Sequence, residues 1–159
     1  TITAGLTQTV CSNNPIVTLN GVSSTSSGTW TTSGSGSFSP NTINGTYVPS
    51  AADITAGTVT LTVTSTNNGG CNPVTSTVNV SIIPGPTSDA GVDLTVCANT
   101  TSIALNGSVT VATGGTWTTN GTGTFSPGNS LTTTYIPSAA DTTAGSVTIY
   151  LTTTGNGIC

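Results

Sequence analysis

The chain has 159 residues, and its only formal side-chain charges are four aspartates, Asp53, Asp89, Asp93 and Asp141; Lys, Arg, His, Met and Glu are absent. Without cations it lacks the groups that hold nucleic-acid phosphates or anionic lipid headgroups. Without His or Lys it cannot assemble a Ser-His-Asp triad, a Cys-His pair, a Schiff base or an imidazole metal site.

Taken in chain order, short strands are predicted over residues 6–11, 15–20, 28–32, 35–39 and 43–48, separated by Gly, Ser, Asn and Pro turns. Trp30 falls on the third of these, where a sandwich commonly keeps a core Trp. Pro49 to Gly57 bridges two strands, and Asp53 is expected to cap a single helical turn within it. The clearest strand is Thr58 to Thr64, which sends Val59, Leu61 and Val63 to one face and threonines to the other. After the Asn67-Asn68-Gly69-Gly70 turn and Cys71, the same period of two returns in Val74, Val78, Val80 and Ile82. Ile83-Pro84-Gly85-Pro86 then makes a short, stiff junction.

Beyond the junction the sequence repeats. Val10-Cys11, Leu19-Asn20-Gly21, Gly28-Thr29-Trp30, Phe38-Ser39-Pro40, the run Tyr47 to Asp53, Ala56-Gly57 and Cys71 return as Val96-Cys97, Leu105-Asn106-Gly107, Gly115-Thr116-Trp117, Phe125-Ser126-Pro127, the run Tyr135 to Asp141, Ala144-Gly145 and Cys159. Drift of a residue or two at turns, with strand-like blocks kept, marks tandem copies of one domain. The predicted fold is therefore all-β: two tandem immunoglobulin-like antiparallel β-sandwich domains, 1–84 and 85–159, with Trp117, Val147, Ile149 and Leu151 repeating the core of the first copy. The second copy stops at Cys159, a strand short of the first. A window on a longer array accounts for this, and the competing account is a subunit that borrows its missing strand from a neighbour.

At 33% hydrophobic and 4% aromatic residues, a thin core calls for a covalent staple. Four cysteines permit three pairings, and the repeat selects Cys11–Cys71 and Cys97–Cys159, one within each copy. Each would add ~4 kcal/mol by chain-entropy reasoning. Disulfides place the chain outside a reducing cytosol. Two Cys per domain without His are too few ligands for zinc.

Several surface features invite functional readings. Thr58, Thr60, Thr62 and Thr64, with Thr148, Thr152 and Thr154, form outward rows that a glycan, ice or another abiotic surface could meet. Thr is equally a strand former that keeps an uncharged surface soluble, and this structural reading is preferred. Asn-x-Ser/Thr triplets at Asn44, Asn79, Asn99, Asn106 and Asn120 are expected by chance in such a composition. Asp89 and Asp93 flank the junction, but two carboxylates make a poor calcium nest.

The motifs Thr95-Val96-Cys97-Ala98-Asn99, Gly114-Gly115-Thr116-Trp117, Gly123-Thr124-Phe125-Ser126-Pro127, Tyr135 to Asp141 and Thr153 to Cys159 resemble the tandem immunoglobulin/PKD-like repeats of very large Bacteroidetes surface proteins. In that group such repeats belong to gliding-motility and adhesin-like proteins exported by the type IX route. The resemblance implies a segment of an extracellular stalk or filament, and brings no catalytic residue with it. It also makes Asp141-Thr142-Thr143 similar to the O-glycosylation motif of those organisms, with Thr142 as the acceptor.

The expectation is thus a non-catalytic structural protein at the cell surface. It needs no cofactor, its partners are neighbouring repeats or identical subunits, and it neither enters a membrane nor binds nucleic acid. The alternative is a binding module that uses its Thr-rich faces or loop tips.

Overall fold

Alternation of Thr with Val and Leu builds the strand around which the first half of the chain is organised. The computed structural model describes residues 1–159, and they divide into unit 1, Thr1–Gly85 with Ile158–Cys159, and unit 2, Pro86–Gly157.

Unit 1 contains β1 (Ile2–Thr3), β2 (Gln8–Cys11), β3 (Val17–Thr18), β4 (Val22–Ser23), β5 (Gly28–Thr32), β6 (Ser37–Phe38), β7 (Thr46–Val48), a short helix α1 (Ala51–Ala56), β8 (Thr58–Ser65) and β9 (Thr75–Ile83). One sheet runs β2-β9-β8-β5 and a second runs β3-β7-β6, with β1 beside β4. Trp30, Val59, Leu61, Val63, Val78, Val80 and Ile82 from the first sheet meet Val17 and Tyr47 from the second in one core. This strand order, with the last strand inserted beside the first, is that of an immunoglobulin-like sandwich. The strand predicted over 15–20 is reduced to the shorter β3, and β4 lies beyond its predicted end. The pairing is also not wholly antiparallel, because β2 runs parallel to β9, with Gln8 opposite Val80 and Cys11 opposite Ile83.

That parallel pair corrects the predicted disulfides. Cys71 lies just before β9 begins, whereas Cys11 lies beside its far end. A strand of this length separates them by roughly 25 Å, against a limit near 7 Å between the Cα atoms of a bridged pair. Cys11 is instead joined to Cys159, with Cα atoms 5.5 Å apart, and Cys71 and Cys97 are exposed free thiols. Titration of the unreduced, native chain with a thiol reagent should therefore find two reactive groups. A non-specific digest should yield one cross-linked peptide, Cys11 to Cys159; two cross-links and no free thiol would restore the within-repeat pairing.

Unit 2 contains β10 (Thr87–Asp89), β11 (Ile103–Asn106), β12 (Ser108–Thr110), β13 (Gly114–Thr119), β14 (Thr124–Ser126), β15 (Thr132–Ile136), the helix α2 (Ala139–Ala144) and β16 (Ile149–Thr154). The β11-β15-β14 sheet reproduces β3-β7-β6, and β10-β12 reproduces β1-β4. The remaining sheet is reduced to β13-β16. In unit 1, β9 pairs with Thr58, Val59 and Thr60 at the start of β8, and it is the sheet partner of β2. Without such a strand the corresponding Ser146–Thr148 and Leu94–Cys97 are not in strand conformation. The core is correspondingly smaller: Leu105, Trp117, Tyr135 and Leu151 are buried, while Val147 and Ile149 are half-buried.

Candidate functional site

The most buried polar cluster in each unit is built on the repeated run from Tyr to Asp. Ser50 is the N-cap of α1, its hydroxyl accepting from Asp53 N, and the Asp53 carboxylate in turn accepts from Ser50 N at 2.9 Å. The cap is thus Ser50, with Asp53 completing a capping box; the prediction that Asp53 itself caps the turn is corrected. The reason lies across the fold. Ser35 N and Gly36 N donate to Asp53 at 3.0 and 2.9 Å, and the Tyr47 hydroxyl donates at 2.7 Å. The carboxylate therefore ties α1 to β7 and to the turn after β5. A Cβ on Gly34 would run into the Asp53 carboxylate and one on Gly36 into the Tyr47 hydroxyl, so the turn closes over this clasp only with glycine there.

Burial, the largest single influence on Asp53, opposes its charge, but the hydrogen bonds from Tyr47, Ser50 and Ser35 together outweigh it and lower its pKa to about 2. Burial, and then the bond to Asp53, raises the Tyr47 phenol. Unit 2 repeats the arrangement: Ser138 N and Thr122 N each donate to Asp141 at 2.9 Å and Tyr135 at 2.7 Å. There the bond from Ser138 is the main cause of a carboxyl held well below its usual range. Each carboxylate accepts several bonds from its own chain, which suits a structural clasp.

Of the other predicted residues, Trp30, Val59, Leu61, Val63, Trp117 and Leu151 lie in the cores. Thr142 is exposed on α2, with its hydroxyl donating to Ser138 O at 3.1 Å. Asp89 accepts from Gly91 N at 2.9 Å, and no group of three or more Cys or Asp is close enough together to hold a metal ion. No helix is long and apolar enough to cross a membrane.

The threonine face is more regular than one strand could show. On the outward side of the large sheet of unit 1, Thr29, Thr64 and Thr75 form one cross-strand row and Thr31, Thr62 and Thr77 the next. Such rows repeat at about 4.8 Å across strands and roughly 6.7 Å along them. Sequence reading found the threonines of β8 and missed these rows, because they depend on the register of β5 and β9.

A second feature lies in unit 2, where the strand corresponding to β9 is missing. Leu94 and Val96 are 54% and 47% exposed. Two concavities of about 390 Å³ each adjoin them, one lined by Leu94, Val96, Ile103 and Val147, the other by Leu94, Leu105, Trp117 and Ile149.

No protein-family model matches the sequence, and no curated protein matches it. Among solved structures, a chimeric titin Z1Z2-Z1Z2 tandem functionalized with a GRGDS peptide from fibronectin is similar over 98% of this chain and 90% of that one. The two are 16% identical, with a TM-score of 0.31.

Proposed function

We propose that the chain is a non-catalytic structural segment of an extracellular stalk, adhesin or filament, in which β-sandwich units follow one another in series. The observation that carries this reading is that both units keep the same buried Tyr–Asp clasp and a Trp core, each clasp carboxylate accepting from a Tyr hydroxyl and from backbone N–H groups of its own unit. Keeping the same framework in both copies is what a spacer requires. The disulfide fits an oxidising compartment. The absence of Lys and Arg leaves trypsin no site to cut, which suits a fibre exposed to proteases.

The threonine rows support a second reading, a module that meets a glycan or abiotic surface directly. Replacing Thr31, Thr62 and Thr77 by serine in the protein of origin separates the two. A spacer keeps its display on intact cells, detected by antibody, and the cells keep their attachment. Retained display with lost attachment would transfer the function to the threonine face.

A further inference from the structure

We propose that Cys71 and Cys97 are the complementary halves of a second disulfide joint, by which this pair of repeats is bonded to further copies of the repeat. Cys97 takes a cysteine carried on a turn of the Cys71 kind, and Cys71 takes a cysteine carried on a turn of the Cys97 kind. The partner is thus more of the same protein.

The bonded pair shows which turns mate. Cys11 opens a tight turn in which Asn14 N donates to Cys11 O at 3.0 Å, and Cys97 opens the same turn, with Thr100 N donating to Cys97 O at 2.9 Å. Cys159 closes a turn whose left-handed residues are Gly155 and Gly157, at φ 66° and 64°. Cys71 closes a turn of the same shape, with Asn67 and Gly69 at φ 57° and 63° in the matching places. In the observed bridge, therefore, the opening turn of the first copy meets the closing turn of the second. One opening turn, at Cys97, and one closing turn, at Cys71, are left, each exposed and each with a free thiol. The length of β9 keeps Cys71 away from the opening turn of its own copy. A cysteine left over in a disulfide-bonded chain points to pairing with another molecule or segment, and here both halves of one joint are left over on the backbone that the bonded half already uses.

Forming the joint needs an oxidant, and a small disulfide of the glutathione type supplies it. The Cys97 thiolate attacks the reagent's S–S bond and releases one thiol; the Cys71 thiolate of the other copy attacks the mixed disulfide and releases the second. One S–S bond forms and one breaks, both cysteines are oxidised, and their two protons leave on the two reagent thiols. Because an opening turn mates with a closing turn and not with its like, the joint is heterologous and copies add head to tail. This deepens the reading of the chain as a segment in series, and rests on it for a place in a fibre; the pairing itself is read from the turns.

Cys71→Ser keeps only the opening-turn thiol and Cys97→Ser only the closing-turn thiol, both changes falling at exposed positions. With oxidised glutathione, an equimolar mixture of the two should give a covalent dimer, a doubling of mass from 15.5 kDa, on an unreduced denaturing gel. Each variant alone should stay a monomer capped by glutathione. A digest of the dimer should yield one new cross-linked peptide, Cys71 to Cys97, with Cys11–Cys159 retained. The unsubstituted chain should build a ladder with the same step, which collapses on reduction. As much dimer in either variant alone as in the mixture overturns the proposal, since exposed thiols would then pair without regard to their turns. So does an unsubstituted chain that loses both thiols and remains monomeric, which would join Cys71 to its own Cys97. Protein from the source, digested unreduced, should contain the same turn-to-turn peptide. A mass that falls on reduction then places the partner turn on a second molecule, and an unchanged mass places it on a further repeat of one polypeptide, the pairing standing in both cases. Recovery of both cysteines as free thiols there would overturn it. Failure of the joint leaves the stalk reading standing, and loss of attachment in the threonine variant leaves the joint standing.

Discussion

Trp30→Ala lowers the stability of unit 1 by about 4 kcal/mol, the usual cost of emptying a buried Trp site. Trp30 is 1% exposed and is held on several sides. Its indole N–H donates to Ile43 O at 3.3 Å, and its backbone N–H and C=O are both met by the Asn41 side chain, at 2.7 and 3.0 Å. That amide completes the free edge of β5 much as a neighbouring strand would. Gly21 floors the ring, since a Cβ there would press on both Trp30 and Ile43. The neighbours are thus fixed and cannot collapse into the space, which is the condition under which cavities cost most. Trp117→Ala should cost less, about 3 kcal/mol, because Val147 and Ile149 beside it are half-exposed and water can enter. Denaturant unfolding followed by circular dichroism, with Trp117 fluorescence reporting unit 2 in the Trp30→Ala chain, measures both. Equal losses in the two variants would contradict the difference in core completeness.

Asp53→Ala should cost unit 1 about 3 kcal/mol, because it strands the Tyr47 hydroxyl and the N–H groups of Ser35, Gly36 and Ser50 without their acceptor. The pH dependence follows from the same bonds. The folded carboxyl has a pKa of about 2 against an ordinary 3.8, so folding favours the charged form. Its contribution is complete above about pH 4 and is lost as pH falls towards 2. The Tyr47 phenol is raised, so its contribution is full below its ordinary value near 10 and disappears as alkali ionises the folded form. Unit 1 should therefore hold a flat thermal midpoint between these limits and fall on both sides. In Asp53→Asn the acid limb of unit 1 should flatten, while that of unit 2, carried by Asp141, remains. An unchanged acid slope in unit 1 would show that other groups set it.

The strands were legible where one face is buried and the other wet. β8 and β9 write their apolar face at every second residue, and the repeat doubles the signal. The clasp was half legible: Tyr47 and Asp53 recur at the same spacing as Tyr135 and Asp141, and the glycines at 34, 36, 121 and 123 recur with them. Their meeting depends on a turn folding over from β5, which local spacing does not encode. The cysteine pairing was not legible, because it turns on β2 running parallel to β9. Reversing that one strand would move Cys11 to the other pole of the sheet without altering any apolar alternation. The weakened β16 follows from the same dependence on partners: Ser146-Val147-Thr148 reads as strand, but its hydrogen bonds need a neighbour.

The sulfur bridge joins Cys11 to Cys159, a separation of 148 residues, so the stretch between these two cysteines is one covalently closed loop. Tension applied between Cys11 and Cys159 is carried by the bridge itself. Strands β3 to β16 lie within that loop and outside the load path, whereas β1 and β2 precede it. Once it is reduced, the same pull draws on the folded units, with roughly 500 Å of contour length to release, so a single redox event converts an inextensible tether into an extensible one.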